Sequence, residues 1–377
     1  MRIAIITKSF AQSNNDNAMP PLIDFVQSVS GKIDIDVYAL YYPFERRSYR
    51  VFGAQIHSFN LGSQPRILRK MHRLGIQKKI AQEHADRPYD LIHAIWADES
   101  AVLAARVSSD LNIPMITTFY AGEAVYIPEI NYGSLRSPKS RESLQKVLEL
   151  SAASTCGSRL LAGEIASNTN HTPLVVPFGL NVERFSPAPS KMKLEGSTTI
   201  ITAASFSAVK GLDILLNAFQ RLIVDHPSLA EGLHWHIIGP DAGDRALRNS
   251  LFAQTANLPI TLHEAKPYWD MPEFYRAGDV VWHGSWFESQ CFAALEPAAC
   301  GVPVAGTAVG VIPEMASPDW TCVPGDPSAL KNLLVHVLSN RGKWANEAAR
   351  QHQWVKDNAT LKIAADRFEK IYVQFAT

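Results

Sequence analysis

Two glutamates, Glu288 and Glu296, stand eight positions apart, ahead of a small apolar run and a Gly-x-Pro-Val sequence that ends at Val304. Eight residues span a little over two helical turns. A helix that begins near Ser289 would place Glu288 just before its N-terminus and Glu296 within it. Free N–H groups and the helix dipole make such an N-terminus a phosphate site. The stretch predicts a nucleotide-sugar site, with one glutamate at the sugar and one at the ribose, although this spacing also occurs by chance.

A lysine elsewhere has the chemistry to accompany such a site. Lys210 and Gly211 follow a predicted strand, Thr199–Ala203, and precede a helical pattern. A lysine ammonium is a mobile point charge that can neutralise a diphosphate. The alternative is a solvated lysine at the start of a helix. A second strand runs into the turn Ile237–Gly243, which is weak evidence because many strands end in glycine.

The elements that would position these residues alternate between short apolar runs and amphipathic helical patterns, of which Leu212–Val224 is the clearest. This alternation predicts parallel, doubly wound sheets, and two successive series predict two Rossmann-like domains with ligands at the carboxyl ends of strands. The predicted strands are Ile3–Thr7, Ile35–Leu40, Leu91–Ala94, Pro114–Phe119, Ser154–Cys156, Leu174–Pro177, Thr199–Ala203, His234–Ile238, Ile260–Leu262, Val280–His283 and Val302–Gly306.

Composition argues against several other classes of protein. The 377 residues carry 36 basic and 36 acidic side chains, so no net charge favours nucleic acid. The length suffices for two domains, and the Pro-rich stretch Ser186–Lys191 predicts the linker. The four cysteines lack a metal-binding spacing, which predicts no metal site and a cytoplasmic setting. No stretch approaches the roughly 18 apolar residues of a membrane span.

The stretch from Glu288 to Val304 resembles the Glu-x7-Glu signature of retaining GT-B glycosyltransferases, in particular glycosyltransferase family 4. The resemblance continues in order through Pro177–Phe185, which is similar to the family's crossover segment, Met271–Asp279 and Thr307–Glu314. It implies an α/β GT-B fold with two Rossmann-like domains that face a deep cleft. The implied parts are an acceptor-binding domain at 1–186, a nucleotide-sugar-binding domain at 187–355, and a helix at 356–377 that packs back on the first domain.

The resemblance assigns the donor site to the second domain. Lys210 and the amides of Ser289–Phe292 would stabilise the departing diphosphate. Glu288 would orient the sugar hydroxyls, and Glu296 would hold the ribose. The chain departs from the family where Ser205 replaces an arginine and where side chains fill both glycine positions of Ser289–Phe292. The implied donor-binding residues are Ser205, Ser207, Lys210, Gly239, Pro240, Lys266, Pro267, Ser289, Gln290, Cys291, Phe292 and Glu296.

The first domain carries less specific signals near the ends of its predicted strands, where polar groups face the ligand in such folds. Tyr120 stands where the family's sugar-contacting histidine would be. Glu123 is the preferred polar group and joins Glu288 and Lys210 as a catalytic candidate, with an exposed loop glutamate as the alternative. His93 is equally well interpreted as a hydrogen-bonded core histidine. The acceptor-binding candidates are Asn15, Asn17, His93, Trp96, Asp98 and Tyr120.

The resemblance implies metal-independent, retaining transfer from a UDP-, GDP- or ADP-sugar to a glycan, lipid-linked or small-molecule acceptor. It implies no cofactor beyond the donor and a role in surface polysaccharide or glycolipid synthesis. Two alternatives stay open. The same fold serves sugar-nucleotide epimerases, and the departures from the family pattern allow a non-catalytic nucleotide-sugar-binding protein.

Residues 66–79 include a basic amphipathic pattern. Ile67, Met71 and Leu74 share one face, and basic residues occupy the rest. A helix of this kind can lie on anionic lipid, which would place the protein at the inner face of a membrane. The commoner arrangement is a helix that faces the core and has a solvated basic side.

Overall fold

The computed structural model of the chain describes residues 1–16, 18–65, 67–239 and 244–376, with Lys70 described by its backbone alone. The chain forms two compact units. The first consists of Met1–Gly179 and Leu361–Thr377, and the second of Leu180–Thr360. In both units, helices alternate with the strands of a mainly parallel sheet, so the predicted α/β, doubly wound architecture is confirmed.

The first unit begins with eight strands and five helices along its described residues. The strands are β1 (Arg2–Ser9), β2 (Asp34–Tyr42), β3 (Arg47–Val51), β4 (Ala54–Ser58), β5 (Leu91–Ile95), β6 (Met115–Phe119), β7 (Ala153–Cys156) and β8 (Leu174–Val175). The helices are α1 (Pro20–Val29), α2 (Arg69–Asp86), α3 (Glu99–Leu111), α4 (Pro138–Leu150) and α5 (Arg159–Thr169).

The sheet of the first unit has the order β3-β4-β2-β1-β5-β6-β7-β8. Its neighbouring strands are parallel, apart from the antiparallel hairpin of β3 and β4. The central strand β1 is buried on both faces, as Ile3, Ile5 and Ile6 show, which is typical of a parallel sheet covered on both sides. The chain winds away from β1 in one direction and from β5 in the other. The loops that follow these two strands therefore begin side by side.

The second unit continues the alternation. Its strands are β9 (Thr198–Ala203), β10 (Leu233–Ile238), β11 (Ile260–His263), β12 (Val280–His283), β13 (Val304–Thr307) and β14 (Thr321–Cys322). Its helices are α6 (Leu212–Asp225), α7 (Pro227–Ala230), α8 (Arg245–Thr255), α9 (Met271–Arg276), α10 (Phe292–Ala299), α11 (Ile312–Met315), α12 (Pro327–Ser339) and α13 (Trp344–Asn358).

The second sheet is parallel in the order β11-β10-β9-β12-β13-β14. Counted within the unit, this is the 3-2-1-4-5-6 order of dinucleotide-binding sheets, whose winding reverses between the first and fourth strands. Here the reversal lies between β9 and β12. The loops after these strands carry Lys210 and Glu288, which is how the fold brings two distant segments together.

The last helix, α14 (Leu361–Phe375), belongs to the first unit. Its Phe368 ring lies 4.8 Å from that of Phe25 in α1 and 5.4 Å from that of Phe178. Its Tyr372 is buried and shares a hydrogen bond of 2.7 Å with His93 in β5. These contacts make the end of the chain part of the first hydrophobic core.

The boundaries between the units, at 179/180 and 360/361, differ by a few residues from those predicted. Phe185 is fully buried in the second core. The predicted linker Ser186–Lys191 is also attached to the second unit, because the Ser190 hydroxyl donates to Glu273 Oε1 at 3.0 Å and Arg276 donates to the Ser186 carbonyl at 3.1 Å. These contacts explain why the second unit begins before the Pro-rich stretch.

Candidate active site

The loops that follow β9 and β12 touch each other. Gly211 ends the first loop in a left-handed conformation (φ +61°), and a β-carbon there would lie 2.2 Å from the Gly284 carbonyl oxygen. The Trp286 amide donates to the Val209 carbonyl across the same contact at 2.8 Å. Only glycine permits this approach at position 211. The two loops are therefore fixed against each other where the winding of the sheet reverses.

An ion pair joins these loops. Lys210 Nζ lies 2.5 Å from Glu288 Oε1, and the Ser285 hydroxyl donates to the same oxygen at 2.8 Å. The lysine and glutamate side chains are 25% and 13% exposed, so a solute can reach them. Burial favours a raised pKa for Glu288, but the Lys210 ammonium and a hydrogen bond from His283 outweigh it and hold the pKa well below its usual range. Glu288 is thus an anion paired with a mobile cation.

Helix α10 begins later than the sequence predicts. It starts at Phe292, with Cys291 as the N-cap residue, so the predicted start near Ser289 is wrong. Cys291 adopts a left-handed conformation (φ +79°), and the carbonyl of Gln290 accepts from the Val311 amide at 3.0 Å. This backbone delays the helix and leaves Glu288 on the preceding loop. It also gives a physical reason for glycine at this position in the family that the chain resembles.

Glu296 lies within α10 and is only 8% exposed. Its Oε2 accepts a hydrogen bond of 2.8 Å from the Tyr275 hydroxyl of α9. Burial, followed by the charge of Glu296, raises the pKa of Tyr275 well above its usual value. Glu296 therefore has a structural partner inside the second unit, and its contact with a ribose stays a prediction.

Other predicted donor residues belong to the loops that follow β9 and β10. Ser205 and Ser207 follow β9, with their hydroxyl oxygens 3.3 Å apart. Gly239 comes directly after β10, and a β-carbon there would lie 1.9 Å from the Ala204 carbonyl oxygen, so the loops after β9 and β10 are also in contact. Pro240 lies outside the described residues.

Lys266 and Pro267 belong to a fourth loop of the second unit. They follow the edge strand β11, which β10 and β9 separate from β12. Lys266 is partly buried, and burial of the imidazole, followed by the charges of His236 and Lys266, lowers the pKa of His263 to about 4. The structure thus brings together the predicted donor residues of the loops after β9, β10 and β12, whereas the fourth loop follows the edge strand of the sheet.

Two groups of side chains within the described residues have metal-ligand chemistry. One contains His283, Glu288 and Cys291 in the second unit, and the other contains Asp36, His57 and Glu83 in the first. In the second group Asp36 is already paired with a buried arginine and accepts from a tyrosine hydroxyl. The group of His283, Glu288 and Cys291 shares Glu288 with the Lys210–Glu288 ion pair.

The first unit has its own charged pair where its sheet reverses. Lys8 at the end of β1 forms an ion pair with Asp98 in the loop after β5, and its Nζ lies 5.2 Å from the centre of the Trp96 ring. Trp96 has a left-handed backbone (φ +72°), and its ring packs edge-on against Tyr120 at 5.1 Å. Three of the predicted acceptor residues are therefore brought together here: Trp96, Asp98 and Tyr120.

Glu123 is buried, at 3% exposure, so the alternative of an exposed loop glutamate is wrong. Its carboxylate accepts from the amides of Ala97 and Tyr120 at 3.1 Å and of Ala121 at 2.7 Å. Burial and the charge of Asp98 raise its pKa, against the opposing effect of the amides. Glu123 ties the loops after β5 and β6 together, and its predicted catalytic role stays a prediction.

His93 does not face a ligand, which corrects its assignment as an acceptor-binding residue. The ring is fully buried, and both nitrogens have partners at 2.7 Å, Nδ1 with the Tyr372 hydroxyl and Nε2 with the Thr118 hydroxyl. Burial lowers its pKa to about 3. Its apolar surroundings favour the alternative of a core histidine. Asn15 lies in an exposed turn after β1, and Asn17 lies outside the described residues.

In the first unit, two adjoining cavities of about 300 and 390 Å³ open beside the Lys8–Asp98 ion pair. Asp98, Glu123, Ser134 and Ser140 line both of them, and we call the combined space the first-unit groove. The basic residues that line the first-unit groove are Lys8, Arg73, Arg106, Arg136 and Lys139.

Sequence reasoning missed four residues of these sites: Lys8, Tyr275, His283 and Ser285. Lys8 and His283 lie at the carboxyl ends of strands that were themselves predicted, and Ser285 follows within the next loop. The rule that ligands meet such ends would have singled out these three. No local pattern indicates Tyr275, because its partner Glu296 is distant in sequence.

The basic segment does not bury its apolar face as the commoner arrangement would. Ile67, Met71 and Leu74 are 85%, 68% and 49% exposed. Arg73 is paired with Glu99, and Arg66 lies outside the described residues. The core-facing interpretation is therefore wrong for these three side chains. Across the part of the chain that the structure describes, no helix combines the length and apolarity needed to span a bilayer.

Comparison with known sequences gives a family for part of the chain. Residues 197–340 match the family described as "Glycosyl transferases group 1". A D-inositol 3-phosphate glycosyltransferase from Geodermatophilus obscurus is 27% identical over 60% of this chain and 54% of its own length. Another from Salinispora tropica is 27% identical over 77% of this chain and 65% of its own. The chain thus spans little more than half the length of the first of these relatives.

Comparison with solved structures concerns the fold. Sucrose-phosphate synthase from Thermosynechococcus elongatus has a TM-score of 0.78 at 16% identity, over 99% of this chain and 98% of its own. Anabaena HepE, solved in complex with UDP and glucose, has a TM-score of 0.76 at 15% identity, over 99% and 100%. The GT-B fold prediction and the resemblance to the glycosyltransferases are confirmed, and the predicted enzyme class is that of the named relatives.

Proposed function

We propose that this protein is a glycosyltransferase that moves a sugar from a nucleotide-diphospho-sugar to a hydroxyl acceptor. The observation that carries the proposal is the Lys210–Glu288 ion pair, which lies where the second sheet reverses and within the region that matches the glycosyltransferase family. A mobile cation and an anion at this point are suited to the two ends of a sugar diphosphate. A UDP-sugar is the first candidate donor, since HepE was solved with UDP and with UDP-glucose.

The ion pair suggests how the donor is received. The diphosphate would take the Lys210 ammonium from Glu288, exchanging one anion for another. Glu288, held by Ser285, would then accept hydrogen bonds from the sugar hydroxyls. Lys210 would stabilise the negative charge that develops on the departing diphosphate. We propose retention of anomeric configuration and no catalytic metal, because lysine and backbone amides supply the positive charge in this mechanism.

The acceptor would bind in the first-unit groove. The groove offers hydroxyls from Ser134 and Ser140 for hydrogen bonds. Its lining holds five basic side chains against three carboxylates, Asp98, Glu99 and Glu123, and this excess of positive charge favours an acceptor that carries phosphate. The names of the inositol-phosphate relatives agree with this class. Glycan and lipid-linked acceptors of surface polysaccharide or glycolipid synthesis are the alternatives. A panel of sugar phosphates, polyol phosphates and neutral glycans separates them, and Lys139→Glu should raise the KM for a phosphorylated acceptor.

The test of the donor site is calorimetry with UDP, GDP and ADP and their glucose conjugates, followed by a product assay. We expect selective binding of one nucleotide and formation of a glycoside when acceptor is present. An altered free sugar released without acceptor would indicate an epimerase. Binding with no turnover across the acceptor panel would favour the non-catalytic alternative, in which the missing arginine at Ser205 is the first cause to examine.

We also propose that the exposed apolar segment Ile67–Leu74 contacts an anionic membrane surface from the cytoplasmic side. Apolar side chains beside Arg69 suit both the interface and its negative charge. Sedimentation with vesicles that contain anionic lipid tests this. Met71→Ser and Arg69→Glu should each reduce binding, whereas Val373→Ser, an equally exposed apolar residue on α14, should not. Equal vesicle binding by all variants would contradict the proposal.

A further inference from the structure

Three side chains with different ligand chemistry converge beside the ion pair. His283 ends β12, Glu288 lies on the loop that follows, and Cys291 caps α10. The imidazole Nε2 lies 3.3 Å from the thiol sulfur and 3.5 Å from Glu288 Oε1, and the three ligand atoms all lie within 4.8 Å of one another. His283 and Cys291 are buried, at 4% and 3% exposure.

The two distances from His283 Nε2 are close to the edges of a coordination tetrahedron. Zinc binds imidazole nitrogen and carboxylate oxygen at about 2.0–2.2 Å and thiolate sulfur at about 2.3 Å, so neighbouring ligand atoms lie roughly 3.3–3.6 Å apart. The two measured separations from His283 Nε2 fall at these values. Histidine, cysteine and glutamate together are ligands that zinc accepts, and a fourth position remains for water.

The conformation of Cys291 holds the thiol in this cluster. A residue with a β-carbon at φ +79° is strained by about 1–3 kcal/mol. The backbone around Cys291 is fixed on both sides. Before it, the Gln290 carbonyl accepts a hydrogen bond from the Val311 amide, and after it α10 begins. The backbone that carries the thiol is therefore fixed, and the thiol itself is buried against His283. Such a constraint preorganises a ligand, because the cost of ordering it has been met in the fold.

Lys210 already contacts the carboxylate oxygen that a metal ion in this cluster would bind. Its ammonium lies 2.5 Å from Glu288 Oε1, which shows that this oxygen accommodates a cation. A divalent ion bound to the same oxygen would repel the ammonium. The two cations should therefore compete for Glu288.

We infer that His283, Glu288 and Cys291 form a zinc site whose occupation excludes the nucleotide-sugar donor. On binding, zinc forms bonds to Nε2, a carboxylate oxygen and sulfur, the thiol proton passes to solvent, the Nε2 proton of His283 moves to Nδ1, and no atom changes oxidation state. Lys210 leaves Glu288. The exclusion of the donor rests on the proposed function, because it requires Glu288 to contact the sugar, whereas zinc binding itself does not.

Cobalt is the probe for the site, since a cobalt–thiolate bond absorbs in the near ultraviolet. We expect the metal-free full-length protein to bind one cobalt ion with a thiolate charge-transfer band that zinc abolishes. Cys291→Gly should remove the band and weaken zinc binding at least about tenfold. Glycine suits the left-handed backbone, so this variant should fold. Cys322→Ser, a partly exposed cysteine elsewhere in the unit, should leave the band intact. A band that persists in Cys291→Gly would overturn the inference.

Lys210→Met gives an independent check that does not depend on cysteine. Removing the competing ammonium should tighten zinc binding several-fold. Unchanged or weaker zinc binding in this variant would contradict the competition for Glu288. His283→Gln should also weaken zinc binding several-fold, and unchanged zinc binding in this variant would contradict the role of His283 as a ligand.

Donor exclusion is measured separately, by calorimetry of the UDP-sugar with and without zinc. We expect zinc to lower UDP-sugar affinity at least about tenfold in the wild type and to have no effect in Cys291→Gly. Zinc binding at Cys291 with no effect on the donor would overturn the exclusion while leaving the metal site intact. Failure of every nucleotide to bind in zinc-free buffer would instead count against the proposed function.

Discussion

The two units place the same kind of charged pair at equivalent points of their sheets, but they surround it differently. In each unit a lysine is paired with a carboxylate across the point where the winding of the sheet reverses. In the first unit Lys8 of β1 meets Asp98 in the loop after β5, and in the second unit Lys210 in the loop after β9 meets Glu288 in the loop after β12. The second pair is supported by the Ser285 hydroxyl and is more buried. The first pair lies beside the Trp96 ring and the first-unit groove. Topology sets where opposite charges meet, and the loops decide what they can bind.

The sharpest way to break this comparison is to remove each lysine in turn. Lys210→Met should lower the affinity for the donor about 10- to 150-fold, because a charge-assisted contact to a diphosphate contributes roughly 1.5–3 kcal/mol. Lys8→Met should change donor affinity less than about threefold. Calorimetry with the UDP-sugar measures both. Equal losses in the two variants would mean that the donor does not distinguish the units.

The carboxylates offer a second comparison. Glu288→Gln should lower kcat roughly 10- to 100-fold, yet bind free UDP several-fold more tightly, because Lys210 is then released from its ion pair. Asp98→Asn should leave UDP binding unchanged and alter only the KM for the acceptor. Steady-state kinetics with UDP calorimetry provide both values. Weaker UDP binding by Glu288→Gln would contradict the exchange of anions.

Glu123 is a buried glutamate whose carboxylate has backbone amides as partners, whereas Glu288 has a lysine. Glu123→Gln should destabilise the first unit by about 1.5–3 kcal/mol, since an amide oxygen replaces a carboxylate that accepts from three N–H groups. Urea unfolding measures the loss against Glu129→Gln, an exposed glutamate of the same unit. A stable Glu123→Gln protein with low kcat would support the catalytic role instead.

Each unit also contains a histidine kept neutral by burial, which lowers the pKa of His93 to about 3 and of His263 to about 4. The unfolded chain, with an ordinary histidine pKa near 6.5, binds more protons below that value. Stability present above pH 6.5 is therefore lost as the pH falls. Between pH 7.5 and 5.5 each histidine should cost roughly 1 kcal/mol. Urea unfolding at both values, with His93→Gln for comparison, tests this; an equal pH dependence in the variant would contradict it.

The smallest expected effect comes from restoring a charge. Ser205→Arg places a cation in the loop after β9, beside Ser207 and near Gly239. It should raise UDP-sugar affinity by a few-fold and leave the first unit unaffected. Ser207→Arg is the matched control for added charge in the same loop. A rise of equal size in both variants would reduce the effect to general electrostatics.

Local sequence patterns predicted the alternation of strands and helices but not strands β3, β4 and β14. They also failed where segments distant in sequence determine the local structure. The period of Leu212–Val224 predicts α6 to within one residue at its end. The start of α10 was missed because the left-handed backbone at Cys291 depends on Val311, which no local pattern reveals. His93 was ambiguous for the same reason, since its partner Tyr372 lies on the last helix.

Helix α14 has a consequence for the synthesis of the protein. The ribosome makes the first 179 residues of the first unit, then the whole second unit, and only afterwards the helix that brings Phe368 and Tyr372 to the first core. Domains usually fold in the order in which they emerge. Here the second unit can finish folding first. Until α14 is made, the first unit lacks the helix that covers His93 and Phe25. A chain stalled before residue 361 would therefore expose an incomplete core in the first unit.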